Sequence, residues 1–228
     1  MKVGNEKKVI YMDRDWELFL LPYTQTVDEL KIKLKGLRSM YKLRKEHGPI
    51  EFVTGRVKPV NSILLKSRTR NISLDKLETD MEDLAGIRIM CPFVEDIHDV
   101  VKMLKRREDI KVLQEKDYVS HKKESGYRSY HLICEYPVQL IDELKYVLVE
   151  VQIRTLAMNF WASIEHSLNY KYQGEFPDEI NIRLQKAAES AFRLDEEMST
   201  IREEIKEAQR NFRFKDEQKA FDLNNWKE

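Results

Sequence analysis

Cysteine is scarce in this chain. The two present, Cys91 and Cys134, each end an apolar run without a CxxC partner, which excludes a disulfide framework and reads as a pair of buried core thiols. Glycine and proline are scarce too, seven and six in 228 residues, and no low-complexity segment, internal repeat or clear linker breaks the sequence. No charge of one sign prevails: forty basic residues balance forty acidic ones, so net charge gives no case for wholesale nucleic-acid or membrane binding and only local clustering can make one. No apolar run approaches the roughly 18 residues of a membrane helix, and the N-terminus shows no apolar signal region. A cytoplasmic protein with no membrane partner is expected.

What is present is a composition of 35% charged and 42% hydrophobic residues, suited to a helix-rich protein with a real core. Residues 1–12 read as a charged leader. Asp13 or Asp15 can cap a helix entered by Trp16 and Phe19, with Pro22 in its first turn or at a kink. Val27, Leu30, Leu34, Leu37 and Tyr41 then form a narrow apolar seam among lysines and arginines, until His47-Gly48-Pro49 ends the helix. That basic run, which includes Lys31, Lys35 and Arg38, is either a solvated helix face or a site for a polyanion. A short strand, 50–54, leads into Arg56, Lys58 and Pro59, and Pro59 opens a helix carrying Ser62 and Lys66. Such a basic helix start is either merely exposed or a cradle for a phosphate chain.

Asp83 introduces a buried strand ending at Cys91; it either caps a turn or ligates Mg²⁺, which takes one or two carboxylates beside substrate phosphates. A helix over 94–106 and a strand over 111–118 follow. The basic loop from Lys122 turns at Gly126 into a further strand, setting Tyr127, Ser129 and His131 on one face. Tyr127 is either a base-stacking platform beside lysines or a cross-strand aromatic. The most informative stretch is Tyr146 to Thr155. Val147, Val149, Val151 and Ile153 alternate with Leu148, Glu150, Gln152 and Arg154, the pattern of a strand with one buried face. Its second face, a carboxylate, an amide and a guanidinium in a row, is either a wet sheet surface or the floor of a polar site. A helix over 156–172 ends near Gly174 and Pro177. A long helix from Ile182 to about Asn211 carries a second seam through Leu184, Ala187, Ala191, Leu194, Met198, Ile201, Ile205 and Ala208, able to pair with the first within or between chains. Residues 213–228 read as a mobile charged tail. The order of elements implies one mixed-sheet α/β (α+β) core of about five strands, over 49–173, between helical arms at 13–48 and 178–212.

Taken together, Arg56-x-Lys58-x-x-x-Ser62-x-x-x-Lys66, Asp83-Leu84-Ala85-Gly86-Ile87-Arg88, Lys123 to His131, and Glu150-Val151-Gln152-Ile153-Arg154-Thr155 with Met158 and Asn159 resemble the synthetase domain of the RelA/SpoT alarmone enzymes, in its small RelQ-type branch. The resemblance covers residues 13 to about 212. It implies a nucleotidyltransferase-like fold and Mg²⁺-dependent transfer of pyrophosphate from ATP to the 3′-hydroxyl of GDP or GTP. It implies that Arg56 and Arg88 flank adenine, that Lys58, Ser62 and Lys66 hold the ATP phosphates, and that Asp83 and Glu150 bind the metal and act in catalysis. Lys123, Tyr127, His131, Gln152 and Asn159 are implied for the acceptor nucleotide. The branch further implies a homotetramer, activated by pppGpp at Lys31, Lys35, Arg38, Glu51, Phe52 and Thr54 and inhibited by single-stranded RNA. Arg128 and Tyr130 stand where the long enzymes more often carry Gln and Leu. His98-Asp99 lacks the upstream domain that would complete a hydrolase site, so no hydrolase is expected. Competing readings are a nucleotidyltransferase-fold enzyme with another acceptor and a non-catalytic RNA- or nucleotide-binding module.

Overall fold

The structure is a computed structural model that describes the backbone of residues 14–172 and 177–225, and their side chains except at 170, 171 and 213–225. The expected leader and Gly174 lie outside the described residues. Helix α1 (Trp16–Arg44) begins where Asp15 caps it, its Oδ1 accepting from the Leu18 amide at 3.0 Å. Pro22 sits inside this continuous helix rather than in its first turn. The carbonyl left without a partner by Pro22 belongs to exposed Leu18, where water can serve it. The helix ends on Lys45 in the left-handed conformation (φ 56°), ahead of the predicted Gly48-Pro49 stop.

Five strands follow: β1 (Phe52–Val57), β2 (Ala85–Cys91), β3 (Lys111–Asp117), β4 (Tyr130–Gln139) and β5 (Leu144–Thr155). They form one mixed sheet in the order β1-β2-β5-β4-β3, in which β2 and β5 are parallel and every other pair is antiparallel. Between them come α2 (Val60–Thr69), α3 (Leu77–Asp80) and α4 (Val94–Lys105); α5 (Leu156–Lys171) and α6 (Asp178–Asn225) complete the chain. On β5, Val147, Val149, Val151 and Ile153 are at most 1% exposed, and burial of each such side chain stabilises by about 1.5–3 kcal/mol. The seam of α1 packs on this face of the sheet: Val27 crosses Gly55 so closely that a Cβ there would meet Val27 Cγ1 and Ile87 Cδ1 at 2.8 Å. Tyr136 of β4 fastens the same helix, its hydroxyl lying 2.7 Å from both Lys33 and Glu29. The first seam is therefore used by the sheet.

Helix α6 is longer than predicted, and its backbone is helical to Asn225 through most of the expected tail. The start of the predicted seam is used, since Leu184 and Ala191 pack against Trp161, Ala162 and Ala188, but beyond it the buried stripe shifts. Ala188, Asp195 and Ser199 are buried, whereas Leu194, Met198, Ile201 and Ile205 face outward. Polar contacts explain the shift. Trp161 Nε1 donates to the Leu184 carbonyl (2.9 Å), Thr155 Oγ1 to Asp195 (2.6 Å) and Ser199 Oγ to Glu95 (3.1 Å). Arg202 lies over the Phe93 ring and 3.5 Å from buried Asp96, which also meets His47 Nε2 at 2.7 Å. One buried carboxylate thus ties the end of α1, the start of α4 and the middle of α6.

Candidate active site

Because α1 and α4 occupy one face of the sheet, the polar side chains of the other face remain accessible. Pairing across the strands sorts them into rows. Glu150 on β5 lies opposite Gly86 on β2, which lies opposite Arg56 on β1. One step along, His131 on β4, Gln152, Arg88 and Thr54 form the next row. The wet-face reading of β5 gives way to the polar-floor reading. Gly86 matters by what it leaves out, since a side chain there would project between Glu150 and Arg56.

Two adjoining cavities open on these rows, of about 240 and 520 Å³. The smaller lies over β1 and β2, bounded by Thr54, Arg56, Gly86 and Arg88. The larger extends to the Gly126 loop and α5, bounded by Lys123, Tyr127, Arg154, Ala162, Glu165 and His166. Arg56, Asp83, Arg88 and Gln152 border both and form the waist. Burial, together with the nearby cations Arg154 and Arg56, lowers the pKa of Arg88, the mark of positive charges crowded where an anion would relieve them.

Both carboxylates at the waist are held by donors. Asp83 meets Lys58 and Lys66, each at 2.8 Å. The Lys58 contact is an aligned hydrogen bond, whereas Asp83 Oδ1 facing Lys66 has charge contact without an aligned donor. Burial would raise the Asp83 pKa, but the two ammonium groups prevail and lower it. Glu150 accepts from His131 Nδ1 (3.1 Å) and from Gln152 Nε2 (2.9 Å). Burial would again raise its pKa; His131 and Gln152 outweigh burial and the repulsion of Asp83, so Glu150 is ionised at neutral pH. Among the described residues no group of three or more His, Cys, Asp or Glu could hold a metal. Two carboxylates suit Mg²⁺, which keeps waters and takes its remaining ligands from phosphate oxygens.

Arg154, given no role at the sequence level, is the hub of the larger cavity. It is buried, donating to Ser129 Oγ (3.1 Å), Tyr127 Oη (2.6 Å) and Gln152 Oε1 (2.8 Å). Tyr127 in turn lies 2.8 Å from His131 Nε2, so Arg154, Tyr127, His131 and Glu150 form a continuous chain of hydrogen bonds. Lys123 Nζ lies over the rings of both Tyr118 and Tyr127, 4.7 and 5.0 Å from their centroids. Tyr127 precedes β4 rather than lying in it, held by a turn in which Gly126 takes φ +88°.

The predicted residues mostly converge. Arg56, Lys58, Asp83, Arg88, Lys123, Tyr127, Glu150 and Gln152 border the cavities, with Lys66 and His131 joined through their contacts. Ser62 sits exposed in the first turn of α2 and lines neither cavity. Asn159 also lines neither; Ala162, Ser163 and His166, on the same face of α5 at i+3, i+4 and i+7, take that place. The recurrence of Ser163 and His166 from Asn159 was a usable signal for the face, though not for the turn. Thr54, expected on a regulatory surface, borders the smaller cavity, while Glu51 pairs with Arg38 at 3.2 Å outside it.

A phosphate-handling enzyme is the class that this mixed sheet and its cationic, two-lobed cleft define. Sequence comparison makes the assignment specific, since residues 55–175 match the region found in RelA / SpoT proteins. The chain belongs to the RelA/SpoT family. It is 60% identical over 200 residues to GTP pyrophosphokinase YjbM of Bacillus subtilis, covering 88% of this chain and 94% of that one. The crystal structure of small alarmone synthetase 1 from Bacillus subtilis bound to its product pppGpp superposes with a TM-score of 0.81 at 60% identity, covering 85% of this chain and 99% of the other. The same enzyme bound to AMPCPP matches with a TM-score of 0.76 at 56% identity, over 86% and 100%.

Proposed function

We propose that the protein is a (p)ppGpp synthetase that transfers pyrophosphate from ATP to the 3′-hydroxyl of GDP or GTP, without hydrolase activity. The observation that carries this reading is the waist: two adjoining lobes meet near two carboxylates and a cluster of cations. ATP takes the smaller lobe, its adenine flanked by Arg56 and Arg88, its phosphates drawing Lys58 and Lys66. The acceptor takes the larger lobe against Tyr127, with Lys123 at its phosphates. The 3′-hydroxyl oxygen attacks the β-phosphorus of ATP and releases its proton to solvent, the bond from that phosphorus to the α-phosphate oxygen breaks, and AMP leaves. Such transfers ask chiefly for positioning and charge neutralisation, which arginines and lysines at the waist supply.

Asp83 and Glu150 would hold Mg²⁺, which when bound neutralises phosphate charge and fixes phosphate geometry. The low pKa of Glu150 suits a carboxylate that orients the hydroxyl and holds charge better than one that keeps a proton. His131 and Gln152 fix its orientation. Ser62, in the first turn of α2, and Asn159, one turn before Ala162 on α5, keep their proposed places at the ATP phosphates and the acceptor base, though neither lines a lobe.

The reading extends to assembly and control. The outward apolar stripe of α6 and the exposed Phe160 and Ile164 of α5 support a homotetramer. Lys31, Lys35 and Arg38, which follow one face of α1 toward Glu51 and exposed Phe52, support a surface for pppGpp as activator and single-stranded RNA as inhibitor. The use of ATP and GDP or GTP supports a cytoplasmic location. The test is incubation with labelled ATP, Mg²⁺ and, separately, GTP, GDP, GMP and ATP as acceptor. Label should move to the guanosine di- and triphosphates, and failure to label either would overturn the reading.

A further inference from the structure

The larger lobe contains a carboxylate that the transfer chemistry does not use. Glu165 of α5 lines it, half-buried, where it borders a neighbouring groove shared with Ser125, Trp161 and Asn169. The surroundings are rich in cations, with Arg56, Lys58, Arg88, Lys123 and Arg154 on the same cavity. Asp83 and Glu150 are each held by a basic side chain, yet no cation among the described side chains pairs with Glu165. Its recorded partner is Asn169 Nδ2, one turn along the helix, which donates to Oε1. A half-buried carboxylate that is left without a cation in such a cavity has acceptor capacity to spare.

We infer that Glu165 determines acceptor specificity by accepting hydrogen bonds from the N1–H and N2–H groups of the guanine base. The inference rests on the acceptor reading given above. Guanine places two donors side by side on its Watson–Crick edge, which match the two oxygens of a carboxylate. Adenine places a lone pair at N1 beside a single amino group, so its edge would set one acceptor against another. The same residue that welcomes guanine thereby excludes ATP from the acceptor lobe, and the two nucleotides cannot exchange places. A site built to bond a donor penalises analogues that lack it, because a buried acceptor is left unpaired.

The test compares kcat/KM for GTP and ITP, whose base lacks the N2 amino group, in the wild-type enzyme and in Glu165→Gln. Loss of one hydrogen bond to a charged acceptor corresponds to about ten- to a hundredfold, so the wild-type enzyme should favour GTP by that factor. In Glu165→Gln the ratio should collapse to within about threefold. A folded Glu165→Gln enzyme, judged by an unchanged melting temperature, that keeps the wild-type ratio would overturn the assignment. A second arm needs no variant: wild-type enzyme should fail to use N1-methyl-GTP, and its use at the rate of GTP would also overturn the assignment. Wild-type enzyme that labels no guanosine nucleotide removes the proposed function and this inference with it. Transfer to GTP without discrimination against ITP or N1-methyl-GTP removes only the role of Glu165.

Discussion

On the proposed function, single side chains at the waist carry the chemistry, and their ionisation sets its pH limits. Glu150 has its pKa lowered from an ordinary 4.5, so the ionised form persists above that value and is lost only as pH falls through the lower folded-state value. The rate should therefore show no acid limb from Glu150 until below about pH 4.5. Glu150→Gln should reduce synthesis by roughly a hundredfold or more while leaving the melting temperature near that of wild type; unchanged synthesis would refute the role. Asp195 behaves in the opposite sense. Burial, partly offset by the Thr155 hydrogen bond and reinforced by Glu95, pushes it up from 3.8 to about 6. A raised carboxylate stabilises the fold below its unfolded pKa and loses that contribution as pH rises through the folded one. Asp195→Asn keeps an acceptor for Thr155 and has no charge to bury. Its melting temperature relative to wild type should rise between about pH 4 and pH 7, and a constant difference across that range would show that the burial is not felt.

At the scale of elements, the Gly126 turn joins the acceptor lobe to α6. Its backbone is left-handed (φ +88°), and a Cβ there would meet Ala188 Cβ at 2.5 Å. Both strain and clash oppose Gly126→Ala, the first alone costing about 1–2 kcal/mol. The variant should melt lower by roughly 2–4 °C per kcal/mol and show a raised KM for the acceptor with the KM for ATP little changed, because Tyr127 and Lys123 ride on the turn. Equal effects on both substrates would place the damage in the sheet. The exposed half of α5 and α6 has different consequences. Leu194 and Ile205 are 54% and 53% exposed, side by side with Met198 and Ile201, a stripe that a second helix face would cover.

For the whole molecule, covering that stripe should matter more to assembly than to the fold of one chain. Leu194→Lys with Ile201→Lys should shift the sedimentation of the protein toward smaller species without loss of helical signal by circular dichroism; an unchanged sedimentation coefficient would count against the stripe as an interface. Lys35→Ala with Phe52→Ala should remove stimulation by pppGpp and leave the basal rate. Loss of both in proportion would make that surface structural.

Much of this was legible from order alone. The alternation on β5, the cap at Asp15, the turn at Gly126 and the charged motifs depend on neighbours a few residues apart, and local sterics and periodicity decide them. The sequence by itself determined which residues could do phosphate chemistry: Arg56, Lys58, Asp83, Arg88, Tyr127 and Glu150 are of the right kind wherever the fold puts them. What it could not determine was distance. Ser62 and Asn159 have suitable chemistry but do not line the lobes, whereas Arg154 and Glu165 do. The seams show the same limit, since periodicity shows that a helix has an apolar side and not what will cover it. Val27 and Leu34 found the sheet, and α6 turned a mixed stripe inward because Asp195, Ser199 and Arg202 had partners waiting there. Those partners lie 40, 104 and 106 residues away in the chain, a separation that only the tertiary fold can close.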